Sequence, residues 1–151
     1  MQLKYLSKLH LGNKFGRQAT QRQHNDTVLG FTFYEGVAPV LSAIGSNLKH
    51  LVLEDFHQVD ILLIGHLCPN LEHLALSGIS SFVPVLSMSQ NFKSMNSNEM
   101  ITPFHKLKVL ELWQDVTNSI TDQMLKTLLC NGSPIARLVF QRYIIRDRYS
   151  V

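Results

Sequence analysis

The sequence predicts an α/β fold of stacked repeats, with a curved parallel sheet on one face and helices or irregular segments on the other. Three observations predict it. A phrase of three apolar residues at positions i, i+3 and i+5 recurs along the chain. Its copies are separated by stretches of broadly similar length. Between the copies, the apolar period lengthens from about two towards about 3.6, the change that marks strand giving way to helix.

The clearest copy is Leu71, Leu74 and Leu76, entered through His66-Leu67-Cys68-Pro69-Asn70. Close copies are Leu6/Leu9/Leu11, Leu48/Leu51/Leu53 and Leu107/Leu110/Leu112, and looser ones are Val28/Phe31/Phe33 and Ile135/Leu138/Phe140. The phrases begin at residues 6, 28, 48, 71, 107 and 135, so successive starts lie 22, 20, 23, 36 and 28 residues apart. Such a phrase at such a period is that of a leucine-rich repeat. Each copy makes a short strand whose leucines point inward while the residues between them point out. One repeat leaves its apolar face open and the next one covers it. About six repeats are expected, in a single domain spanning 1–151, with Leu9, Leu51, Leu74, Leu110 and Leu138 buried.

The return segments follow in order. Gly16 to Asp26 is polar and weakly patterned, which predicts an irregular turn. Val37, Val40, Leu41 and Ile44 lie on one helical stripe, with Pro39 in its first turn. Val59, Leu62, Leu63 and Leu67 form a second stripe, which Pro69 stops. Met124, Leu125, Leu128 and Leu129 form a third, with Ser119 and Asp122 at capping-box spacing and Asn131-Gly132 as the stop. These stripes read as core faces rather than cofactor boxes, because strand phrases follow them at regular offsets. The longest interval contains residues 87–98, rich in Ser, Asn and Met, which reads as an inserted flexible loop.

Composition narrows the function classes. Net charge is +3, with basic residues near both ends and acidic ones in the middle, and Lys/Arg runs are too short for a nucleic-acid site. Two cysteines, Cys68 and Cys130, are too few for a disulfide framework and suit packing at helix ends. No run is long and apolar enough to span a membrane, and no signal peptide is legible. A cytoplasmic or nuclear protein is expected, without membrane or nucleic-acid partners. Leu3, Tyr5 and Leu6 at one end and Ile144-Ile145 at the other leave the array without a polar cover. That predicts a piece of a longer protein, or ends covered by another chain.

The phrase Cys68-Pro69-Asn70-Leu71-Glu72-His73-Leu74-Ala75-Leu76, and the segment Ile120 to Cys130 leading into Ile135, resemble the leucine-rich repeats of F-box/LRR proteins. The resemblance covers most of residues 3–143. It implies a solenoid that recruits substrates to an SCF-type ubiquitin ligase, with the adaptor docked by an F-box lying outside this chain.

Chemistry-bearing motifs are few. No nucleophile elbow, dinucleotide fingerprint, P-loop or zincin helix is present, so binding rather than catalysis is expected, with no cofactor. His50 and His73 share the third position of successive phrases and fall on neighbouring strands, yet two histidines leave a zinc site incomplete. They read as surface histidines. His10, three phrases earlier, sits in another lane and is expected to be out of reach. The outward lane after each phrase reads Gly12, Tyr34, Glu54, Ser77, Trp113 and Gln141; the lane inside it reads His10, Thr32, Val52, Ala75, Glu111 and Val139. Outward aromatics amid mixed charge are enriched at binding hot spots. Tyr34, His50, Glu54, His73, Glu111 and Trp113 are therefore the candidate protein-binding residues, suited by sign to a partner with a basic segment. Trp113 could instead fold over the next repeat. Two function classes follow: a substrate-recognition module for a ubiquitin ligase, or a structural or regulatory repeat scaffold with no ubiquitin link.

Overall fold

A computed structural model describes residues 5–13, 31–84, 103–113, 121–129 and 134–141. The residue pairings in its main sheet follow directly from the leucine phrases. Strands β1 (Lys8–Gly12), β2 (His50–Glu54), β4 (His73–Ser77), β6 (Val109–Trp113) and β7 (Arg137–Gln141) form a parallel sheet in the order β1-β2-β4-β6-β7. The second leucine of each phrase is in register: Leu9 pairs with Leu51, Leu51 with Leu74, Leu74 with Leu110, and Leu110 with Leu138. Strands β3 (Gln58–Val59) and β5 (Ser81–Phe82) make a second, two-stranded parallel sheet.

Backbone hydrogen bonds repeat with the same period. The carbonyl just before each strand accepts two N–H groups from the next: Ser7 from Lys49 and His50, Lys49 from Glu72 and His73, Glu72 from Lys108 and Val109, and Lys108 from Ala136 and Arg137. Entry turns recur as well, since Leu48, Leu71 and Leu107 each donate to the carbonyl three residues earlier, on Gly45, Cys68 and Phe104. Asn70 fastens one entry turn to the one before it by donating to the Ser46 carbonyl, 2.8 Å away. Satisfying the backbone in this recurrent way frees the phrase side chains to do one thing, which is to fill the space between strands.

On the leucine side, Leu51, Leu53, Leu71, Leu74, Leu76, Leu107, Leu110 and Leu112 are fully buried in one core. Helices α1 (Ala38–Ile44), α2 (Ile61–Leu67) and α3 (Asp122–Leu129) bring Leu41, Ile44, Ile61, Ile64, Met124 and Leu128 to the same core. Each such leucine or isoleucine contributes about 1.5–3 kcal/mol by leaving water. Pro39 lies in the first turn of α1, as expected. Helix α2 begins at Asp60, whose carboxylate accepts from the Leu63 N–H at 2.9 Å. Helix α3 is capped by Thr121, whose hydroxyl accepts from the Met124 N–H at 3.3 Å. Cys68 is buried and free at the end of α2, and burial pushes its thiol up to about 12.

Several expectations are corrected. Phe31 and Phe33 of the phrase Val28/Phe31/Phe33 are not in a strand, because Phe33–Val37 forms a wide helical turn running into α1; Val28 lies outside the described residues. The reason is local: Thr32 accepts from the Glu35 N–H while the Glu35 carboxylate accepts from the Thr32 N–H, a complete capping box. Strand β1 therefore pairs with β2 directly. The buried face of α2 is Ile61, Ile64 and Gly65; Leu62, Leu63 and Leu67 are half-buried, and Val59 belongs to β3. At the sheet edges, Leu9 is only partly buried, and Leu138 and Phe140 are 40% and 50% exposed. Neither edge strand has a described neighbour beyond it to close over its leucines. The irregular turn at 16–26, the loop at 87–98, Ser119 and Asn131-Gly132 lie outside the described residues.

Candidate surface for protein binding

Strand alternation places a second set of side chains on the sheet face opposite the leucines. Both β2 and β6 alternate half-buried and buried residues along their length. Parallel register then lines the residues that alternate with the leucines into three rows. The first runs Lys8, His50, His73, Val109 and Arg137; the second His10, Val52, Ala75, Glu111 and Val139; the third Gly12, Glu54, Ser77, Trp113 and Gln141.

Four of the candidate residues are brought together on β2, β4 and β6. His50 and His73 are register partners, with ring centroids 5.5 Å apart in an edge-to-face arrangement. Glu111 Oε1 stands 3.4 Å from His73 Nε2, close enough for charge attraction although Nε2 makes no hydrogen bond. The other carboxylate oxygen accepts from Trp113 Nε1 at 3.1 Å. Glu111 thus links an imidazole on β4 to the indole on its own strand. Burial, helped by the Lys8 ammonium and by His73, lowers the His50 pKa below the usual imidazole range. The Nδ1 atom of His50 is also shielded from solvent without a hydrogen bond.

Glu54 lies on the same face, with its carboxylate 3.1 Å from His10 Nε2. His10 is thus nearer to β2 than its place in the phrases implied, although it meets Glu54 and not His50 or His73. The implied place followed from counting Val28/Phe31/Phe33 as an intervening strand, and without that strand His10 is next to β2. The readable signal was Thr32-x-x-Glu35, which announces a helical turn.

Tyr34 is not on this face. It lies in the helical turn Phe33–Val37, where its hydroxyl donates to the Asp60 carboxylate at 2.9 Å. Asp60 is 1% exposed and caps α2, so Tyr34 is tied to the helical layer. Burial and the adjoining Asp60 carboxylate push the Tyr34 phenol up to about 12.

A charged ladder edges the face. Glu72 is 2.6 Å from Lys108 and 3.6 Å from Lys49, which joins three consecutive entry turns across β2, β4 and β6. Chiefly through the Lys108 hydrogen bond, the Glu72 carboxyl is held below the usual carboxylate range. Sequence reasoning left this ladder unremarked, although Lys49, Glu72 and Lys108 share one position of their phrases.

Among the described residues, no group of three or more His, Cys, Asp or Glu side chains is arranged to hold a metal ion, and no helix is long and apolar enough to cross a membrane. Comparison with family models finds no matching family, and comparison with curated proteins and with solved structures finds no match.

Proposed function

We propose that this chain is a leucine-rich repeat solenoid acting as a non-catalytic protein-binding module, with the face opposite its leucines as the binding surface. The single observation that carries this reading is the cluster Trp113–Glu111–His73–His50. A large aromatic, a carboxylate and two imidazoles are lined up across three strands by backbone register alone. A parallel sheet ordinarily has both faces covered by helices. Here the described helices supply the leucine-side core, and the opposite rows carry polar and aromatic groups.

Support for the solenoid comes from the repeated carbonyl ladder, the repeated entry turns and the unbroken leucine register. A partner with a basic segment suits Glu54 and Glu111. Resemblance of the Cys68–Leu76 phrase to F-box/LRR repeats suggests substrate recognition for an SCF-type ubiquitin ligase, and the expected setting is cytoplasmic or nuclear.

Affinity capture from cell extract tests the reading, with the wild-type chain and Trp113→Ala side by side. The expected result is a defined partner retained by the wild type and lost by the variant, with the ligase adaptor recovered only when an F-box is present in the bait. Equal capture of the same proteins by both baits would overturn the reading.

A further inference from the structure

Charge is sorted along the strand direction. Of the six lysines and arginines among the described residues, five stand where strands of the main sheet begin, and the sixth, Lys126, is on α3. Lys8 and Arg137 are the first residues of β1 and β7, Lys49 and Lys108 immediately precede β2 and β6, and Lys106 lies in the entry turn before β6. All five are exposed. Glu72, just before β4, is the one carboxylate at this rim among the described residues. The cations therefore come from four of the five strands, and the carboxylate from the central one. At about 4.8 Å per strand, the rim runs about 19 Å from Lys8 to Arg137.

We propose that this basic rim docks an acidic, Asp- or Glu-rich segment of the protein partner. The proposal rests on the protein-binding reading above and adds an acidic stretch to the partner, beside the basic one.

Charge balance and preorganisation carry the argument. Five cations against one carboxylate leave the rim positive, and Glu54 does not cancel it. That carboxylate closes the far end of β2, five residues beyond Lys49 or about 16 Å, further than the screening length of about 10 Å. With Glu111 counted as well, the balance is five against two. The ammonium groups are also held in place. Glu72 is 2.6 Å from Lys108 and 3.6 Å from Lys49, and the Asn70 side-chain oxygen accepts from Lys106 at 2.6 Å. Even so, the Lys49 and Lys108 side chains remain 57% and 56% exposed. An ammonium has three donors, so one used internally leaves others for an incoming carboxylate, and a side chain already held loses less freedom on binding. Glu72 also selects among polyanions. A nucleic-acid strand is charged at every phosphate and brings one against the central carboxylate. A peptide can set an uncharged residue over Glu72 and acidic residues over Lys49 and Lys108 on either side.

The probe is a dye-labelled, amidated hexaglutamate peptide, followed by fluorescence anisotropy at low ionic strength and about pH 7.5. Wild-type chain should bind it, with affinity that falls as salt is raised. Lys49→Gln/Lys108→Gln should bind about tenfold more weakly. Lys108→Gln and Lys126→Gln change net charge equally, yet the first should weaken binding about threefold and the second by less than twofold. A single-stranded oligothymidylate of equal charge should bind at least about tenfold more weakly than the peptide. Circular dichroism confirms that each variant is folded, and Arg137→Gln replaces the double variant if it is not. No binding by the wild type, equal losses in Lys108→Gln and Lys126→Gln, or oligothymidylate bound as tightly as the peptide would overturn the proposal. Trp113 lies five residues beyond Lys108, about 16 Å along β6, so Trp113→Ala should leave hexaglutamate binding unchanged. Failure of the rim is thereby separable from failure of the outward face, which capture with Trp113→Ala tests.

Discussion

The Trp113 indole donates to Glu111 Oε2 at 3.1 Å, from two positions further along the same strand. The two side chains share one face of β6, and the hydrogen bond holds the ring to its own strand's outward row. In that position Glu111 keeps its second oxygen towards His73. Removing the carboxylate tests the arrangement. Glu111→Gln should change the Trp113 emission maximum while leaving the unfolding midpoint nearly unchanged, since both groups sit outside the leucine core. Matched emission and denaturation curves on the two proteins check this.

Core position governs the cost of a lost leucine. Leu74 is fully buried between Leu51 and Leu110, so Leu74→Ala should cost about 2–5 kcal/mol through the cavity it leaves. Leu138 is 40% exposed on the last strand of the sheet, and Leu138→Ala should cost about 1 kcal/mol or less. Urea unfolding of both variants gives the comparison. Equal costs would mean that the edge is covered as well as the centre.

That contrast shows what was legible in the sequence. Phrase spacing specifies which leucines align, because parallel register with period-two alternation allows only one set to face the core. Whether an aligned leucine is buried depends on a neighbour on each side, and a phrase carries no information about its neighbour. Hence Leu51, Leu74 and Leu110 are as expected, while Leu9 and Leu138 are not. Val28/Phe31/Phe33 matched the apolar pattern, yet the Thr32–Glu35 capping box made helix of its end. That one substitution of helix for strand removed Tyr34 from the face and set His10 beside β2. His50, His73, Glu111 and Trp113 were placeable because their phrases are true strands.

Tyr34 has a structural task in place of the expected one. Its hydroxyl is a hydrogen-bond donor to the buried Asp60, so Tyr34→Phe should destabilise the chain by about 1 kcal/mol. The phenol's folded-state pKa is raised above its usual 10 to about 12. Its contribution is therefore fully present below about pH 10 and lost as pH rises through about 12. Stability of the wild type should fall over that window more steeply than that of Tyr34→Phe, as read by unfolding at a series of alkaline pH values.

His50 acts in the opposite pH direction. Its pKa is lowered in the fold, chiefly by burial, so the unfolded chain binds the proton more readily. The linked stability is fully present above the ordinary imidazole value and declines as pH falls below it. His50→Gln should flatten the acid side of the stability profile, which chemical denaturation between about pH 7.5 and 5.5 measures directly.

The bend after β4 depends on Gly78, whose φ is +61°. A Cβ there would run into the Asp55 side chain, which follows β2 at the equivalent place. Gly78→Ala should therefore cost about 1–3 kcal/mol, from backbone strain and displacement of Asp55 together. A loss well under that range in denaturant unfolding would show that the bend relaxes without it.

The central claim is that the outward rows bind a protein partner, and Trp113→Ala tests it most directly when affinity and melting temperature are measured on the same preparation. A side chain held on the outward row by Glu111 should act as an exposed anchor: affinity for the captured partner should drop by about 2 kcal/mol or more, roughly thirtyfold, with the melting temperature nearly unchanged. A large fall in melting temperature with unaltered affinity would contradict the account, because it would make Trp113 a packing residue and leave the face without its anchor.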